Sequence, residues 1–213
     1  MKILKVNSVL LALLVLLSSK AFCQHDFDHQ YEYTNRSIKS FMSAGKVGVE
    51  LDARESGGTV WLKDQAFSEG IIELDIMGEN KPGSNFVGVA FHGVNDSTYD
   101  CIYFRPFNFV AEKQINRDHM VQYISMPQYD WYRLRETRTG EFEHEIKNAP
   151  DPDKWFHARI EVELNKVSVY VNSEASPSLV VTKLNKRKSG KIGFWAGFNS
   201  IGRFANLKIT ALR

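Results

Sequence analysis

Apolar and polar residues alternate with a period of two through most of the chain after residue 45. In one stretch Ile72, Leu74 and Ile76 alternate with Glu73 and Asp75. Such alternation over four to eight residues is typical of β-strands that turn one face to a core and the other to solvent. The same pattern occurs in 47–51, 87–92, 160–164 and 167–171. The sequence therefore predicts an all-β fold.

Short turn sequences separate these segments, and no stretch has the period of a long amphipathic helix. Many short strands joined by regular turns predict a β-sandwich or barrel. We find no internal repeat or low-complexity linker, which favours one domain. Residues 126–154 do not alternate and are rich in Pro, Asp and Arg. Long loops in compact domains are usually functional or disordered, and the aromatic residues of this one argue against disorder.

The N-terminus has the three parts of a secretory signal peptide. Basic Lys2 and Lys5 precede an apolar run at 9–17, and the small residues Ala21 and Cys23 follow. The run is shorter than the roughly 20 residues that span a bilayer. The sequence predicts a signal peptide at 1–23, an N-terminal arm at 24–44 and a β-sandwich domain at 45–213. We expect a secreted or periplasmic protein whose mature chain has no membrane span. Acylation of Cys23, as in a lipoprotein, is a less favoured alternative, because Phe22 stands where such signals have a small residue.

Removal of the signal peptide changes the charge and the cysteine count. The signal peptide contains three of the 27 basic residues and no acidic one, so 24 basic and 25 acidic residues remain after its removal. No basic field remains to recruit nucleic acid. Cys101 is then the single cysteine, so no internal disulfide forms. Stability must come from a core, and a chain near 150 residues already buries roughly 70% of its unfolded surface.

The C-terminal part of the chain resembles a known superfamily. "WFHARIEVELNKVSVYVN" (155–172) is followed by "GKIGFWAG" (190–197) and "GRFANLKI" (202–209). This order resembles the concanavalin A-like lectins and glucanases, and within them it is most similar to bacterial secreted 3-keto-disaccharide hydrolases, which are called family-16-like. The resemblance covers about 45–213. It implies a jelly-roll sandwich of two antiparallel sheets with carbohydrate bound on the concave face.

Four predicted strands can be tested for such a face, because alternate strand residues point to opposite sides. If Val87, Ile102, Val121 and Phe194 face the core, an unusual mixture faces outward: Gly88, Ala90, His92, Cys101, Tyr103, Arg105, Gln122, Gly193 and Trp195. A merely solvated face would be rich in Lys, Glu, Thr and Ser instead.

This outward set has the chemistry of a sugar site. Tyr and Trp combine an apolar body with a polar tip, Arg offers five fixed donors, and amides both donate and accept. We predict that the following residues bind carbohydrate: His92, Tyr103, Arg105, Asn108, Gln122, Trp131 and Trp195. Trp131 lies in the 126–154 loop and would act as a lid.

Each of these residues also has a structural interpretation. Arg105 could pair with Asp100 or a glutamate, and Asn108 could shape a turn after Pro106. His92 could simply be hydrogen-bonded, Gln122 could have a structural role, and the aromatic residues could pack at a rim or in a satellite core.

Two functions of other classes remain open, a glycoside-cleaving enzyme of the 3-keto-disaccharide hydrolase type and a laminin-G-like adhesion module. An enzyme would need a carboxylate, and the candidates are Asp100, Glu141, Glu143 and Glu145. The last three alternate in "EFEHEI" (141–146), which is also typical of an edge strand protected by acids. "ELDIMGE" (73–79) resembles a glucanase signature with one residue too many, in a strand that usually has a structural role.

No cofactor motif is present in the sequence. Asp151 and Asp153 offer oxygen ligands of the kind calcium prefers, so structural calcium is possible. The same residues would also form a turn before Trp155.

Overall fold

The computed structural model describes residues 30–211. The predicted signal peptide, its cleavage site and Cys23 lie outside the described residues. The described chain forms two seven-stranded sheets in which every pairing is antiparallel. This confirms the predicted all-β sandwich. The alternating segments at 47–51, 72–76, 87–92, 160–164 and 167–171 all fall within or largely within strands.

The strands are β1 (Tyr31–Thr34), β2 (Ile38–Ser43), β3 (Lys46–Leu51), β4 (Gly58–Phe67), β5 (Gly70–Met77), β6 (Val87–Asn95), β7 (Thr98–Phe104), β8 (Val121–Ser125), β9 (Glu143–His144), β10 (Phe156–Val162), β11 (Lys166–Val171), β12 (Leu179–Thr182), β13 (Gly190–Ala196) and β14 (Gly202–Ala211). The helical segments are a 3₁₀ turn (Pro106–Asn108), α1 (Gln114–Arg117) and α2 (Trp131–Thr137).

The first sheet has the order β1-β4-β13-β6-β7-β8-β9, and the second has the order β12-β11-β10-β5-β14-β3-β2. β13 and β14 follow each other in the chain but lie inside different sheets. The segment that carries the family resemblance therefore completes both layers.

The core lies between the sheets and is formed by the inner positions of the alternating strands. Ile72, Leu74 and Ile76 of β5 are completely buried there. Phe194 of the first sheet stacks on Phe204 of the second, with ring centroids 4.6 Å apart. Burial of each such side chain contributes roughly 1.5–3 kcal/mol, which replaces the missing disulfide as the source of stability.

Two segments contain more regular structure than the alternation predicts. Within the predicted N-terminal arm, β1 and β2 form one edge of each sheet. Within 126–154 lie α2 and the edge strand β9. The Asp130 side chain caps α2, with its Oδ1 accepting a hydrogen bond of 2.8 Å from the Arg133 amide. Among residues 30–211, no helix is both long and apolar enough to cross a membrane.

Candidate functional site

A cavity of about 840 Å³ lies on the outer face of the first sheet. One row of cross-strand partners crosses this face, from Trp195 through Gly88, Tyr103 and Gln122 to Glu143. Side chains in such a row share a face of the sheet. A Cβ at Gly88 would lie 2.8 Å from the Cβ of Tyr103, so only glycine fits between the two aromatic residues. Their ring centroids are 5.0 Å apart and form the cavity floor.

Arg105 lies at the end of this floor and is only 4% exposed. One of its terminal nitrogens donates to the Tyr103 hydroxyl at 2.6 Å and to Gln122 Oε1. The other donates to the carbonyl oxygen of His119 at 2.9 Å. The guanidinium also lies 4.8 Å from the centroid of the Tyr103 ring. Most of its donors therefore hold the floor in place.

Glu143 balances the positive charge at this end of the cavity. Its carboxylate binds Arg135 through two hydrogen bonds of 2.8 Å and lies 3.6 Å from Arg105. His119 Nδ1 is 2.9 Å from the same carboxylate but lacks the alignment of a hydrogen bond. Burial lowers the pKa of Arg105 and of His119, and the nearby Glu143 charge partly opposes both shifts. A charged Arg105 and a neutral His119 are favoured at neutral pH.

The two buried tyrosines at the cavity are uncharged hydrogen-bonding groups. Burial raises the pKa of Tyr99 and of Tyr103 to about 12, so both keep their protons at physiological pH. The Tyr99 hydroxyl accepts a hydrogen bond of 3.0 Å from Trp195 Nε1. The floor is thus a neutral aromatic surface with fixed polar edges.

Exposed aromatic residues form the walls. Trp131 of α2 is 47% exposed and Phe198 is 49% exposed, and both line the cavity. The Arg135 guanidinium lies 5.2 Å from the Trp131 ring centroid, which orients the indole. Asn108 lines the cavity from the 3₁₀ turn, and its amide donates to the His119 carbonyl at 3.3 Å. Asn108 therefore both belongs to a turn and borders the cavity.

Five of the predicted binding residues line this cavity, namely Tyr103, Arg105, Asn108, Trp131 and Trp195. Gln122 is completely buried and acts as an acceptor for Tyr103 and Arg105. Its Nε2 has no hydrogen-bond partner in residues 30–211. Sequence reasoning missed Phe86, His119 and Phe198, which lie outside the strands. It also missed Tyr99, although this residue alternates with Tyr103 on the same face of β7.

His92 does not lie at the cavity, and its predicted outward orientation is wrong. A register shift between Phe91 and Asn95 interrupts β6, and His92 takes a positive φ of 50°. The irregularity breaks the period of two and turns the ring inward, where it is fully buried. Its Nε2 lies 2.6 Å from the Ser68 carbonyl oxygen, and its Nδ1 lies 3.3 Å from an Asp100 carboxylate oxygen.

Asp100 belongs to this inner cluster and does not line the cavity. It therefore lies away from the groove in which a catalytic carboxylate would have to act. Its carboxylate accepts hydrogen bonds of 2.9 Å from the Tyr123 hydroxyl and from Arg187. Burial alone would raise the pKa of Asp100, but the bond with His92 and the charge of Arg187 outweigh it and lower the pKa. Asp100 is therefore an ionised structural group, and of the two predicted kinds of partner for Arg105 the structure has the glutamate, Glu143.

The three glutamates of 141–146 separate in space. Glu141 is exposed and pairs with Arg138, and Glu145 lies 3.2 Å from Arg117. Only Glu143 reaches the cavity residues. Because β9 spans two residues at the sheet edge, the alternation does not continue far enough to align all three carboxylates.

The other acidic motifs lie elsewhere. Glu73 and Asp75 project from the outer face of the second sheet, where Asp75 is 3.0 Å from His157. Asp153 accepts a hydrogen bond of 2.8 Å from the Asn80 amide, and Asp151 lies 2.9 Å from Lys154. Within the described part of the chain, no three His, Cys, Asp or Glu side chains form a group that could hold a metal ion.

No family model and no curated protein matches the chain. Solved structures do match. One is the carbohydrate-binding module CBM66 from Bacillus subtilis, with 12% identity and a TM-score of 0.59 over 85% of this chain and 97% of that one. Another is the exoplasmic/lumenal domain of VIP36 in its Ca²⁺/Man3GlcNAc-bound form, with 11% identity and a TM-score of 0.54 over 86% and 84%.

A proposed glycosyl hydrolase from Parabacteroides distasonis also matches, with 12% identity and a TM-score of 0.51 over 90% of this chain and 98% of that one. At such low identity these likenesses show the fold. They confirm the predicted concanavalin A-like jelly roll.

Proposed function

We propose that this chain is a carbohydrate-binding domain whose glycan site is the cavity on the outer face of the first sheet. The observation that carries the proposal is the pair of adjacent rings, Tyr103 and Trp195, at the floor of a cavity bordered by fixed hydrogen-bonding groups. Sugars present apolar C–H faces and many hydroxyls, which require this combination. The similar CBM66 and VIP36 structures support the proposal, because their names state that those proteins are a carbohydrate-binding module and a glycan-bound domain.

The cavity residues divide into three roles. Trp195 and Tyr103 supply the surface on which a sugar ring stacks. Trp131 covers the opposite side, and its exposure leaves it able to close on a ligand. Asn108 offers amide donors and acceptors to hydroxyls. Arg105 chiefly positions Tyr103, because the contacts described above already use most of its donors.

The proposed binding uses no metal. Asp151 and Asp153, which calcium could use, already make a turn and a loop contact. We expect EDTA to leave the sugar affinity unchanged. A loss of affinity that calcium restores would contradict this part of the proposal.

Export is also part of the proposal and rests on the sequence of residues 1–23. Expression of the full chain in a bacterial host, followed by N-terminal sequencing of the exported product, tests it. The expected first residue is Gln24. A lipid-modified Cys23 would support the lipoprotein alternative instead.

The test of sugar binding is a glycan array followed by calorimetry with the best ligand. Trp195→Ala should weaken binding about 100-fold, because buried aromatic anchors contribute roughly 2–3 kcal/mol. Trp195→Phe, which keeps a ring, checks that a loss does not come from misfolding. Tyr170→Ala on the other sheet is the control and should bind normally. An array on which the parent protein binds nothing would contradict the proposal.

Glycoside cleavage is the second candidate function, and Glu143 favours it. This carboxylate is only 4% exposed and lies beside Arg105 and His119, as a catalytic acid would. Both of its oxygens already accept hydrogen bonds from Arg135, which suits positioning better than acid catalysis. Incubation with 3-keto-disaccharides and oligosaccharides, with product analysis by chromatography, tests the activity. Product that Glu143→Gln abolishes, while sugar binding persists, would establish the enzyme.

A further inference from the structure

A second cavity, of about 430 Å³, adjoins the first. Four residues line both cavities, namely Gly83, Phe107, Asn108 and Asn116. A Cβ placed on Gly83 would meet no atom within 4 Å, so the space beside this shared border is open. A ligand can therefore extend from one cavity into the other along the surface.

The two cavities differ in charge. The first is bordered by Arg105, Arg135, Asp96 and Asp130, which carry charges of both signs. Within the described chain, no charged residue lines the second cavity. Its lining consists of three asparagines, apolar side chains and one glycine: Asn80, Pro82, Gly83, Phe107, Asn108, Val110, Ala111 and Asn116. Amides beside apolar surface suit a neutral group with many hydroxyls.

Two of these amides are free to bind such a group. The side chains of Asn80 and Asn116 are exposed, and they make no hydrogen bond to the rest of residues 30–211. Val110, which is 56% exposed, adds an apolar surface beside them. An amide can donate to one hydroxyl and accept from another without first breaking a contact inside the protein.

We propose that the ligand is an oligosaccharide of at least two units, with one unit on the Tyr103 and Trp195 floor and a neutral unit in the second cavity. Both volumes fall within the range of about 300–1,000 Å³ that is typical of small-molecule sites, so each can hold at least one sugar ring. The inference rests on the proposed function and adds the length of the ligand and the uncharged character of its second unit.

The test is calorimetry with cello-, malto-, xylo- and fructo-oligosaccharides of one to six units. In the series that binds, affinity should rise about tenfold or more when the chain becomes long enough to enter the second cavity. The double variant Asn80→Ala/Val110→Ala changes two residues that line the second cavity and not the first, so it should lose this gain and bind the shortest ligand normally. Asn165→Ala, which removes another exposed amide, in the β10–β11 turn, is the matched control. Unchanged melting temperatures would show that all variants are folded.

The outcomes separate this inference from the proposed function. Affinity that is independent of length, or a gain that survives in the double variant, would overturn the second subsite. Sensitivity to Trp195→Ala would still support sugar binding in the first cavity. If no series binds, both the proposed function and the second subsite are overturned.

Discussion

The outer faces of the two sheets have the same architecture but opposite chemistry. On the first sheet, the row through Tyr103 and Trp195 is buried beneath loops and presents aromatic rings to a cavity. On the second sheet, the row through Glu73, Arg159 and Lys208 is partly exposed and makes ion pairs at the surface. The alternating pattern alone does not separate a binding face from a solvated one, and the residue types on the outward positions do.

A buried carboxylate of each face can be compared, Glu143 on the first and Asp75 on the second, and their partners differ. Glu143 is held by Arg135 and by Arg105, whose side chain is 5% exposed. Asp75 is held by Lys46 and His157, whose side chains are 35% and 38% exposed. Water screens the second group of charges and hardly reaches Arg105 in the first. The first face therefore depends more strongly on its charge balance.

The largest expected difference comes from removing each carboxylate charge. Glu143→Gln should lower the free energy of unfolding by about 3 kcal/mol, because it leaves a buried guanidinium without its counter-charge. Asp75→Asn should cost about 1 kcal/mol, as for a solvent-screened pair. Urea unfolding of both variants measures the difference. Equal losses would mean that the two clusters are equally screened.

A change at the cavity rim should alter binding and leave stability intact. Trp131→Ala should weaken sugar binding about tenfold, or about 1.4 kcal/mol, because the indole lines the cavity. Its neighbour Tyr132 is 55% exposed but does not line the cavity, so Tyr132→Ala should bind normally. Calorimetry compares the two, and neither should change the free energy of unfolding by more than about 0.5 kcal/mol. Equal binding by both variants would exclude Trp131 as a lid.

The two faces should respond to acid in different pH ranges. Burial, together with the charges of Arg135 and Arg105, lowers the pKa of His119 below 6.5. Below pH 6.5 His119 is protonated in the unfolded chain but stays neutral in the folded chain. The free energy of unfolding therefore falls as the pH drops from 7 towards 5. His119→Asn should remove this part of the slope in unfolding titrations. If the slope of the free energy of unfolding against pH is unchanged in this variant, His119 is not its source.

On the second face the corresponding group is Asp75. Burial alone raises its pKa, but hydrogen bonds from Lys46, Asn206 and His157 lower it below 3.8. Its contribution is therefore constant above about pH 5 and is lost as the pH falls through the folded-state pKa. Asp75→Asn should alter the unfolding titration only in this acidic range.

The smallest effect is expected for an exposed pair on the second face. Lys208 is 70% exposed and lies 3.4 Å from Glu73. Lys208→Ala should change the free energy of unfolding by less than about 0.5 kcal/mol, and 1 M salt should remove the difference. A loss near 2 kcal/mol that persists in salt would mean that this face is less solvated than its exposure indicates.

The sequence predicts those parts of the molecule in which strands are regular. Period two places Tyr103, Gln122 and Trp195 on one face, and the structure does the same, because β7, β8 and the end of β13 pair without interruption there. The predicted orientation of His92 is wrong because β6 has a bulge at this position. Gly93 directly after it was the available signal, since glycine within a strand often marks such an irregularity.

Other cavity residues could not be predicted from alternation. His119 and Phe198 come from loops, and their positions depend on which strands become neighbours. The helix that presents Trp131 has seven residues, too few for a periodic pattern, although Asp130 offered an N-cap signal. Glu143 was one of three equivalent glutamates, and only the pairing of β9 with β8 distinguishes it.

The positions of β13 and β14 have a consequence for the order of synthesis. These strands span residues 190–211, yet each inserts between strands made much earlier, β13 between β4 and β6 and β14 between β3 and β5. Neither sheet can close before the ribosome has made them, and such non-local pairings fold slowly, in milliseconds to seconds. The two sheets therefore stay incomplete until residues 190–211 have been synthesised, which would suit the export proposed above, because a translocation channel takes an unfolded polypeptide.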